Sequence, residues 1–454
     1  MKKKLLMGCG IAVLVLLSVY LLTAAFFYER MMPGTYVNGI DVSLISRSEV
    51  ESFMNAHSES DYCLTVTDIH GSDTVIRAED IDLREQYHTE TLAWQNPLLF
   101  PLYMWTGSNL TVPYDIVFDE DKLTALVQEK LLTQEGEYTA PRNAYVSDYI
   151  YGTGYSIVPP EDGDTPIPDK VQNVVKSAVY AESTAVNLDE EGCYEKAEIR
   201  EDDPALVQLL ARKQSEVSAV ITYQFGSETR VVDSDTYYPW LTVHEDGTKE
   251  LDKAAVRAYV DALKAETDTA GTTRDFVTAD GRTVQVAGPY GYKMSAKKET
   301  EQLMADILSG EQITREPIYS KVGAQRDAPE YGSSYVEVDL TKQKVYLFVD
   351  GQQILETDCV TGNARRRMNT PEGIYAMTYK TRNATLRGRG YATHVNYWMP
   401  FNKGIGLHDA TWRSKFGGEI YARSGSHGCV NLPLDAAKTI YEYVGKGFPV
   451  ICHA

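Results

Sequence analysis

One cysteine and two histidines near the C-terminal end have the types and spacing of a thiol nucleophile with its base. Cys429 lies in the run Ser426-His427-Gly428-Cys429-Val430-Asn431, and His408 lies 21 residues upstream of it. A thiol with its ordinary pKa of about 8.5 is only a few per cent thiolate at neutral pH, so it needs an imidazole to take its proton. The pattern therefore predicts a cysteine–histidine ion pair that performs nucleophilic chemistry.

His408 is the histidine that we expect to act as the base. His427 is only two residues before Cys429, and so close a neighbour along the chain often points elsewhere, whereas His408 can arrive from a different strand. Asp409 follows directly, and its backbone carbonyl or its carboxylate could orient the second ring nitrogen of His408. An ordinary loop acid is the alternative interpretation of Asp409.

Gly428 gives the turn before the cysteine its shape. Without a Cβ, the backbone can turn sharply and approach a ligand closely. The amides of Gly428 and Cys429 could then face an oxyanion, which is worth roughly 3–4 kcal/mol per donor in other enzymes. A zinc site made by His408, His427 and Cys429 is the structural alternative, but it needs a fourth ligand or a water. We predict no metal and no cofactor.

The elements around these residues indicate a mainly β domain. Tyr335–Leu340 alternates apolar and polar residues, and Asp350-Gly351 is a hairpin signal between two further β-type runs. We expect a three-stranded meander, followed by a helix behind Pro433 and a last strand. The predicted strands are 335–340, 344–349, 352–360 and 448–452, and the predicted helix is 434–444.

The N-terminus predicts a membrane anchor. Lys2, Lys3 and Lys4 precede an uncharged run from Leu5 to Tyr28, and about 20 apolar residues span a bilayer as a helix. The run is longer than a signal-peptide core and ends in bulky residues, so we favour an uncleaved anchor over a cleaved signal peptide. The lysines stay inside, which puts the remaining chain outside the cell membrane in a single-pass topology.

Two segments between the anchor and the β domain have the same order of features. In each, an Asp that can cap a helix (Asp119 in the first, Asp252 in the second) is followed by an amphipathic helix, a Gly-Tyr pair and a second helix; chance similarity is the alternative. We therefore predict a multidomain chain: a transmembrane helix, two α+β repeat domains and the mainly β catalytic domain. The predicted boundaries are 1–30, 31–203, 204–328 and 333–453.

Charge and cysteine content narrow the function further. The segment from Ser333 onwards holds 15 Lys and Arg against 10 Asp and Glu, while the rest holds 29 against 54, so a net +5 domain follows a net −25 stalk. This distribution favours an anionic substrate for the last domain. An outward-facing chain without an extended basic, aromatic surface is no candidate for binding nucleic acid.

The six cysteines form no CxxC pair. Cys359 is expected in the core, and a disulfide between Cys63 and Cys193 stays an open alternative.

The catalytic residues resemble the signature of the L,D-transpeptidase (YkuD) family. The resemblance covers 333–452 and rests on His408-Asp409 and Gly425–Leu432, with Tyr397–Phe401 and Gly404–Leu407 ahead of them. The two repeats resemble the peptidoglycan-binding domains that precede this domain in Gram-positive proteins. Many members have Gly or Ser where Asp409 stands and Arg where Asn431 stands, which leaves the orienting group open.

The resemblance implies a β-sandwich-like domain with a deep site, acting on peptidoglycan stem peptides and sensitive to carbapenems. Cys429 would attack the carbonyl of the third stem residue, expel the terminal D-alanine, and pass the acyl group from a thioester to a neighbouring amine as a 3→3 cross-link. His408 would carry the proton. An L,D-carboxypeptidase and a non-enzymatic wall-binding protein are the alternatives. Residues assigned to the pocket or to substrate are Tyr397, Trp398, Ser426, His427, Gly428 and Asn431. Trp398 and Trp412 could flank the cleft, with a place in the core as the alternative for either.

Overall fold

The computed structural model describes residues 2–133, 138–388 and 391–454. The chain forms two compact units. The first consists of Met1–Tyr145 with Ile157–Leu206, and the second consists of Val146–Ser156 with Val207–Ala454. The domain boundaries expected from the sequence remain predictions.

The first unit begins with the apolar helix Lys2–Phe26. Within the described residues, one helical stretch, Leu5–Phe26, is long and apolar enough to cross a membrane by length and composition. A small subdomain follows the helix. Its elements are the strands Thr35–Val37, Ile40–Asp41, Ser108–Leu110, Arg84–Tyr87 and Tyr114–Val117, the α-helices Val50–Ala56 and Phe100–Thr106, and the 3-10 turns Thr89–Thr91 and Pro97–Leu99. The 3-10 turn Ala78–Ile81 packs instead into the α+β core that forms the rest of this unit.

The remainder of the first unit is an α+β core. Strand Cys63–Thr67 pairs antiparallel with Asp73–Arg77 and parallel with Ala185–Asn187. Two helices cover it, Glu120–Val127, which continues as a π-helical turn through Leu132, and Pro168–Tyr180. As predicted, Asp119 caps the first of these helices: its carboxylate accepts the amides of Asp121 and Lys122 at 3.0 and 3.1 Å. Two short strands, Tyr145–Val146 and Ile157–Val158, lie where the two stretches of this unit end and begin in sequence.

The second unit opens with a core of the same strand order. Strand Val220–Phe225 pairs antiparallel with Glu228–Val232 and parallel with Gln312–Arg315. The predicted cap Asp252 is confirmed, since its carboxylate accepts the amides of Ala254 and Ala255. The helices here are Pro204–Glu216, Ser234–Tyr237, Lys253–Thr267 and Ala296–Ser309, and the further strands are Leu241–Val243, Lys249–Leu251, Thr273–Val277, Thr283–Ala287, Lys293–Met294 and Tyr319–Lys321.

The C-terminal part of the second unit consists of two sheets with helix Leu434–Tyr443 packed against them. The predicted meander is confirmed, and it occupies one edge of the five-stranded sheet. That sheet has the order Gln352–Asp358, Lys344–Val349, Tyr335–Asp339, Pro449–His453, Gly373–Ala376, and the four-stranded sheet has the order Thr381–Gly388, Tyr391–Asn402, Ile405–Asp409, Val430–Leu432. The helical turn Ala364–Arg366 connects two strands of the five-stranded sheet, and Ile420–Ser424 connects two strands of the four-stranded sheet.

The hairpin Thr273–Ala287 packs against the five-stranded sheet within this unit. Phe276 and Tyr290 share a buried cluster with Ile374 and Ile451 of the sheet. Polar contacts border the cluster: the Ala279 amide donates to Glu337 at 2.9 Å, the Arg282 guanidinium pairs with Asp339 at 3.2 Å, and Glu337 also contacts Nε2 of buried His453 at 3.0 Å.

All six cysteines are free thiols. Cys359 is fully buried in the C-terminal core, as expected from its apolar run, and burial raises its pKa well above the ordinary value. Cys63 is exposed while Cys193 is buried, so the open disulfide between them does not form in this structure.

Candidate active site

Two neighbouring strands bring the predicted nucleophile and base into one cleft. Strand Ile405–Asp409 pairs in parallel with Val430–Leu432, and the register sets His408 opposite Asn431 and Leu407 opposite Val430. Cys429 is the residue just before the second strand, so its thiol lies beside the start of the first. Its Sγ is 3.7 Å from the Gly404 carbonyl oxygen.

The cleft has a volume of about 420 Å³. Besides Cys429 and His408, three residues that the sequence assigned to the site line it: Ser426, His427 and Asn431. Its lining residues are Leu386, Thr393, His408, Trp412, Arg413, Gly425, Ser426, His427, Cys429 and Asn431.

His408 is buried and its ring is held from one side. Its Nδ1 lies 2.8 Å from the backbone carbonyl oxygen of Asp409. Because a carbonyl oxygen can only accept, the contact places a proton on Nδ1 and leaves Nε2 with a lone pair. The ring centroid lies 5.8 Å from that of Trp398 and 5.9 Å from that of Trp412. The geometry thus fixes the tautomer that a general base requires.

The Asp409 carboxylate has a different task from its carbonyl. It is fully buried, and its two oxygens accept from the Tyr397 amide and from Nδ2 of Asn396, each at 2.8 Å. Both donors lie on the neighbouring strand, so the carboxylate ties the two strands together. Of the two groups that the sequence offered as orienter, the carbonyl contacts the imidazole, and Asp409 is no ordinary loop acid.

Burial acts against the expected ion pair. It lowers the pKa of His408, and the charge of Arg413 lowers it further, while the Asp409 carbonyl and carboxylate act in the opposite direction. Burial raises the pKa of the Cys429 thiol, against a weaker lowering by a hydrogen bond from the Gly406 amide. Both shifts favour the uncharged forms, a thiol beside a neutral imidazole, over the expected ion pair.

The turn before Cys429 is closed by the side-chain hydroxyl of Ser426. Gly428 has φ +115°, and a Cβ there would lie 3.0 Å from Cδ1 of Ile405. The Gly428 amide donates to Oγ of Ser426 at 3.0 Å, and that hydroxyl donates to the Cys429 carbonyl at 2.5 Å. The expected role of the Gly428 amide as an oxyanion donor is therefore not what the structure has, since the amide is occupied within the turn. Thr370 Oγ1 adds a hydrogen bond to the Gly428 carbonyl at 2.7 Å.

The other predicted site residues divide into two groups. Ser426, His427 and Asn431 line the cleft, and Oδ1 of buried Asn431 is without a hydrogen-bond partner among the described residues. Tyr397 and Trp398 do not line it. The Tyr397 ring packs 5.2 Å from that of Tyr441, and Trp398 lies buried behind His408. In the described part of the chain, no group of three His, Cys, Asp or Glu residues is placed to hold a metal ion.

Two residues of the site, Gly406 and Arg413, escaped the sequence interpretation, whereas Trp412 was expected at the cleft and lines it, 51% exposed. Gly406 supplies an amide to the thiol, and a Cβ there would lie 2.6 Å from the Met399 carbonyl oxygen, so the Gly-x-Gly spacing before His408 was an available signal. Arg413 lines the cleft as its fixed charge, and only its position five residues after His408 pointed to it.

Arg413 is a half-buried cation that forms no ion pair with any residue that the structure describes. Its Nη2 donates to the Ser424 carbonyl at 2.7 Å, and its Nε has no hydrogen-bond partner among the described residues. Burial lowers the pKa of the guanidinium. The cleft lining includes no Asp or Glu, so the site presents an unneutralised positive charge to whatever enters.

Comparisons with known proteins agree with this chemistry. Residues 333–452 match the family model described as the L,D-transpeptidase catalytic domain (YkuD), and residues 211–315 match the one described as "Putative peptidoglycan binding domain". No curated protein matches the chain.

Three solved structures illustrate the similarity. A cysteine-to-serine mutant of the Enterococcus faecium L,D-transpeptidase is 35% identical over 54% of this chain and 100% of that one, with a TM-score of 0.46. The Ldtfm–avibactam carbamoyl enzyme is 34% identical over 55% and 99%, with a TM-score of 0.46. The E. faecium catalytic domain acylated by ertapenem is 39% identical over 27% and 98%, with a TM-score of 0.25. With 35% identity over the full length of the first of these enzymes, the chain belongs to the L,D-transpeptidase family, whose members act on peptidoglycan through a cysteine nucleophile.

Proposed function

We propose that Cys429 and His408 carry out peptidoglycan transpeptidation as nucleophile and general base. As Sγ attacks the carbonyl carbon of the third stem residue, the thiol proton passes to Nε2 of His408. The same proton then goes to the amine of the leaving D-alanine as the C–N bond breaks and a thioester remains. An amine of a second stem attacks the thioester carbonyl and loses a proton to His408. The C–S bond breaks, His408 returns that proton to Sγ, and the 3→3 cross-link is formed.

The observation that carries this proposal is the contact between Nδ1 of His408 and the Asp409 carbonyl, in a cleft that also holds Cys429. That contact leaves Nε2 free of a proton at rest, as a base must be. The lowered pKa of His408 keeps the ring neutral at physiological pH, so proton transfer accompanies the attack and does not precede it. The Cys429 amide remains our proposed oxyanion donor.

The substrate end of the cleft is proposed to bind a carboxylate. Arg413 is half-buried, unneutralised and on the wall of the cleft, and a carboxylate supplies the missing counter-charge. In the donor stem, the terminal D-alanine carries a carboxylate one residue beyond the bond that breaks. Arg413 is therefore suited to select donors that end at this position.

An acylation experiment tests the roles of the two residues. The full chain in detergent is incubated with ertapenem, and its intact mass is measured. We expect a covalent adduct in the wild type and in Cys63→Ala, whose thiol is exposed but distant in sequence from the site, and none in Cys429→Ala. An unmodified wild-type mass with folded protein contradicts the proposal.

A second experiment identifies the acceptor. The wild type is incubated with disaccharide tetrapeptide, and the products are separated by mass. Transpeptidation yields a dimer one D-alanine lighter than two substrates. Tripeptide monomer without dimer means that water is the acceptor, as in an L,D-carboxypeptidase, and overturns the transpeptidase assignment for this substrate.

We also propose how the chain is placed at the wall. Helix Lys2–Phe26 is an uncleaved span with its lysines in the cytoplasm, which holds the following domains outside the membrane of a Gram-positive-type cell. The domains are 1–30, 31–203, 204–328 and 333–453. The shared strand order of the cores around Cys63–Thr67 and Val220–Phe225 supports their origin by duplication. Their binding to peptidoglycan is an extension from the family match at 211–315.

A further inference from the structure

An uncharged, exposed apolar segment lies in the first unit. No Asp, Glu, Lys or Arg stands between Glu90 and Asp115, in a chain that is 24% charged. Within this stretch, Pro97–Leu99 and Phe100–Thr106 form two consecutive helical pieces, which we call the lateral helix, Pro97–Thr106. Its exposed large apolar side chains are Leu98, Leu99, Leu102, Met104 and Trp105, the last with 90% of its surface exposed. A contiguous patch of this kind marks an interaction surface.

The lateral helix contacts one face of the N-terminal helix. The Phe100 ring lies 5.2 Å from the Tyr20 ring and 5.7 Å from the Phe27 ring, and the Tyr20 hydroxyl donates to the Leu98 carbonyl. Tyr20, Thr23, Ala24 and Phe27 are the covered or partly covered residues of this stretch, while their neighbours are exposed. Their spacing of i, i+3, i+4 and i+7 defines one helical face, so the contact is a defined docking and not a chance touch.

The level of this contact places the lateral helix within the proposed span. Tyr20 precedes Phe26, the last residue of the apolar stretch, by six residues. At 1.5 Å per residue, this is about 9 Å along the helix axis. A bilayer that surrounds Leu5–Phe26 therefore also meets the side chains of the lateral helix.

Aromatic and cationic side chains lie just beyond this level. The Arg47 guanidinium is 4.8 Å from the Trp94 ring centroid and 5.8 Å from that of Tyr28, and the Arg30 guanidinium is 5.2 Å from the Phe26 ring. Tryptophan and tyrosine are enriched where a membrane meets water, and arginine can act as an interfacial anchor there. Their position marks the water-facing border of the apolar region.

The backbone of the lateral helix is suited to a lipid environment. The Asn96 side chain accepts the Leu98 amide at 3.1 Å, and the Gly107 amide donates to the Tyr103 carbonyl at 2.9 Å. Thr106 Oγ1 donates to the Leu102 carbonyl at 3.0 Å. Helical pairing and side-chain hydrogen bonds at both ends satisfy these backbone groups, so moving them from water into lipid costs less. Irregular backbone with unsatisfied groups is excluded from lipid by that same cost.

We propose that the lateral helix is a second membrane contact, lying in the outer leaflet beside the retained N-terminal span. This inference rests on the proposed retention of that span. Lipid is the occupant that fits, because the surface is apolar, uncharged and continuous with the stretch that crosses the bilayer. The contact fixes the orientation of the first unit at the membrane surface, which a single flexible tether does not do.

Depth-dependent quenching tests the proposal on the full chain. The protein is reconstituted into phosphatidylglycerol–phosphatidylcholine vesicles that contain lipid brominated near the top of one acyl chain, and tryptophan emission is recorded. Trp105→Phe is compared with Trp412→Phe, which removes another exposed tryptophan from the catalytic cleft. We expect brominated lipid to quench a component of the emission in the wild type and in Trp412→Phe, and this component to be lost in Trp105→Phe.

Equal quenching in all three proteins overturns the proposal. The proposal is also overturned if the lipid quenching of Trp105 disappears as the protein-to-lipid ratio rises, because a second copy of the chain then covers the surface. The mass of the N-terminal peptide is measured on the same sample. A cleaved N-terminus refutes both the span and the lateral contact, whereas an intact N-terminus with unquenched Trp105 refutes the lateral contact alone. Cross-link formation is scored separately and is independent of both results.

Discussion

The imidazole of His408 is held by the backbone of Asp409, while the side chain of Asp409 is engaged elsewhere: Nδ1 contacts the carbonyl oxygen at 2.8 Å, and the carboxylate accepts from the adjacent strand. The base is thus oriented by a group that no substitution of the side chain removes. This separation of roles allows catalysis and stability to be tested independently.

Replacing Asp409 by Asn is expected to lower stability more than activity. The carbonyl remains, so the acylation rate of the folded protein should stay within a few fold of the wild type. The buried contacts to the Tyr397 amide and Asn396 are weakened, at a cost of about 1–3 kcal/mol. His408→Gln is the comparison, because loss of a general base costs about 10²–10⁴-fold in rate. Thermal unfolding and ertapenem acylation rates measure the two effects, and a Asp409→Asn rate as low as that of His408→Gln would show that the carboxylate takes part in catalysis.

The pH profile should be flat across neutrality. The pKa of His408 is lowered from 6.5, so the neutral base persists somewhat below that pH, and the rate falls only as the ring protonates at still lower pH. The pKa of Cys429 is raised from 9.0, so no increase from free thiolate is expected below pH 9. The dependence of kcat/KM on pH checks both limbs. Thiolate absorbance at 240 nm that is present at pH 7 and lost in Cys429→Ala contradicts the uncharged pair.

Gly428→Ala should disrupt the turn, whereas Gly404→Ala should be tolerated. At Gly428, φ is +115° and the added Cβ meets Ile405 at 3.0 Å, which together cost about 1–3 kcal/mol and displace the thiol. At Gly404 the added Cβ has nothing within 4 Å, although that residue also lies beside Sγ. Acylation rates and melting temperatures of both variants are compared, and equal losses would mean that the turn geometry does not govern reactivity.

Arg413→Gln should impair donors with a free C-terminal carboxylate. A charged hydrogen bond contributes about 1.5–3 kcal/mol, so KM for the tetrapeptide is expected to rise roughly 10- to 100-fold. The same stem ending in D-alaninamide lacks the charge, and its KM should change little. Lys415→Gln, an exposed cation that does not line the cleft, is the control. Equal effects on acid and amide substrates rule out carboxylate recognition by Arg413.

His453 should make stability depend on pH. Burial lowers its pKa, but the hydrogen bond to Glu337, the Ala454 carbonyl and the carboxylates of Glu337 and Asp339 raise it overall above 6.5. A raised folded pKa gives stability that is complete below the unfolded pKa and is lost as pH rises through the folded pKa. The melting temperature should therefore fall from pH 6 to pH 8.5, and His453→Gln should flatten that slope. An unchanged slope assigns the pH dependence to other groups.

Local signals along the chain predicted the nucleophile, the base and the meander. Cys429 and His408 were identifiable because a thiol requires an imidazole and the glycine-rich turn is short. The caps Asp119 and Asp252 were identifiable because each satisfies amides within three residues. These features depend on neighbours in sequence, which is what a pattern records.

The features that were wrong or overlooked depend on three-dimensional burial. The pKa shifts of Cys429 and His408 toward their uncharged forms follow from desolvation, which spacing does not reveal. The Gly428 amide was assigned to the oxyanion because the sequence does not show its hydrogen bond to Ser426, which depends on the path of the turn. Tyr397 and Trp398 were assigned to substrate because a sequence does not show toward which side an aromatic side chain points. In the structure, Tyr397 packs against Tyr441.

The shared cluster of Phe276, Tyr290, Ile374 and Ile451 bears on how these proteins can be recombined. The peptidoglycan-binding match ends at residue 315 and the catalytic-domain match begins at residue 333, so the linker between them is the obvious junction for exchanging the two segments. A chimera joined there would set Phe276 and Tyr290 against a foreign sheet and leave Arg282 without Asp339. The compact unit of Val146–Ser156 and Val207–Ala454 contains both the hairpin and the sheet, so a chimera that exchanges this whole unit keeps the shared interior intact, whereas a junction at the sequence linker does not.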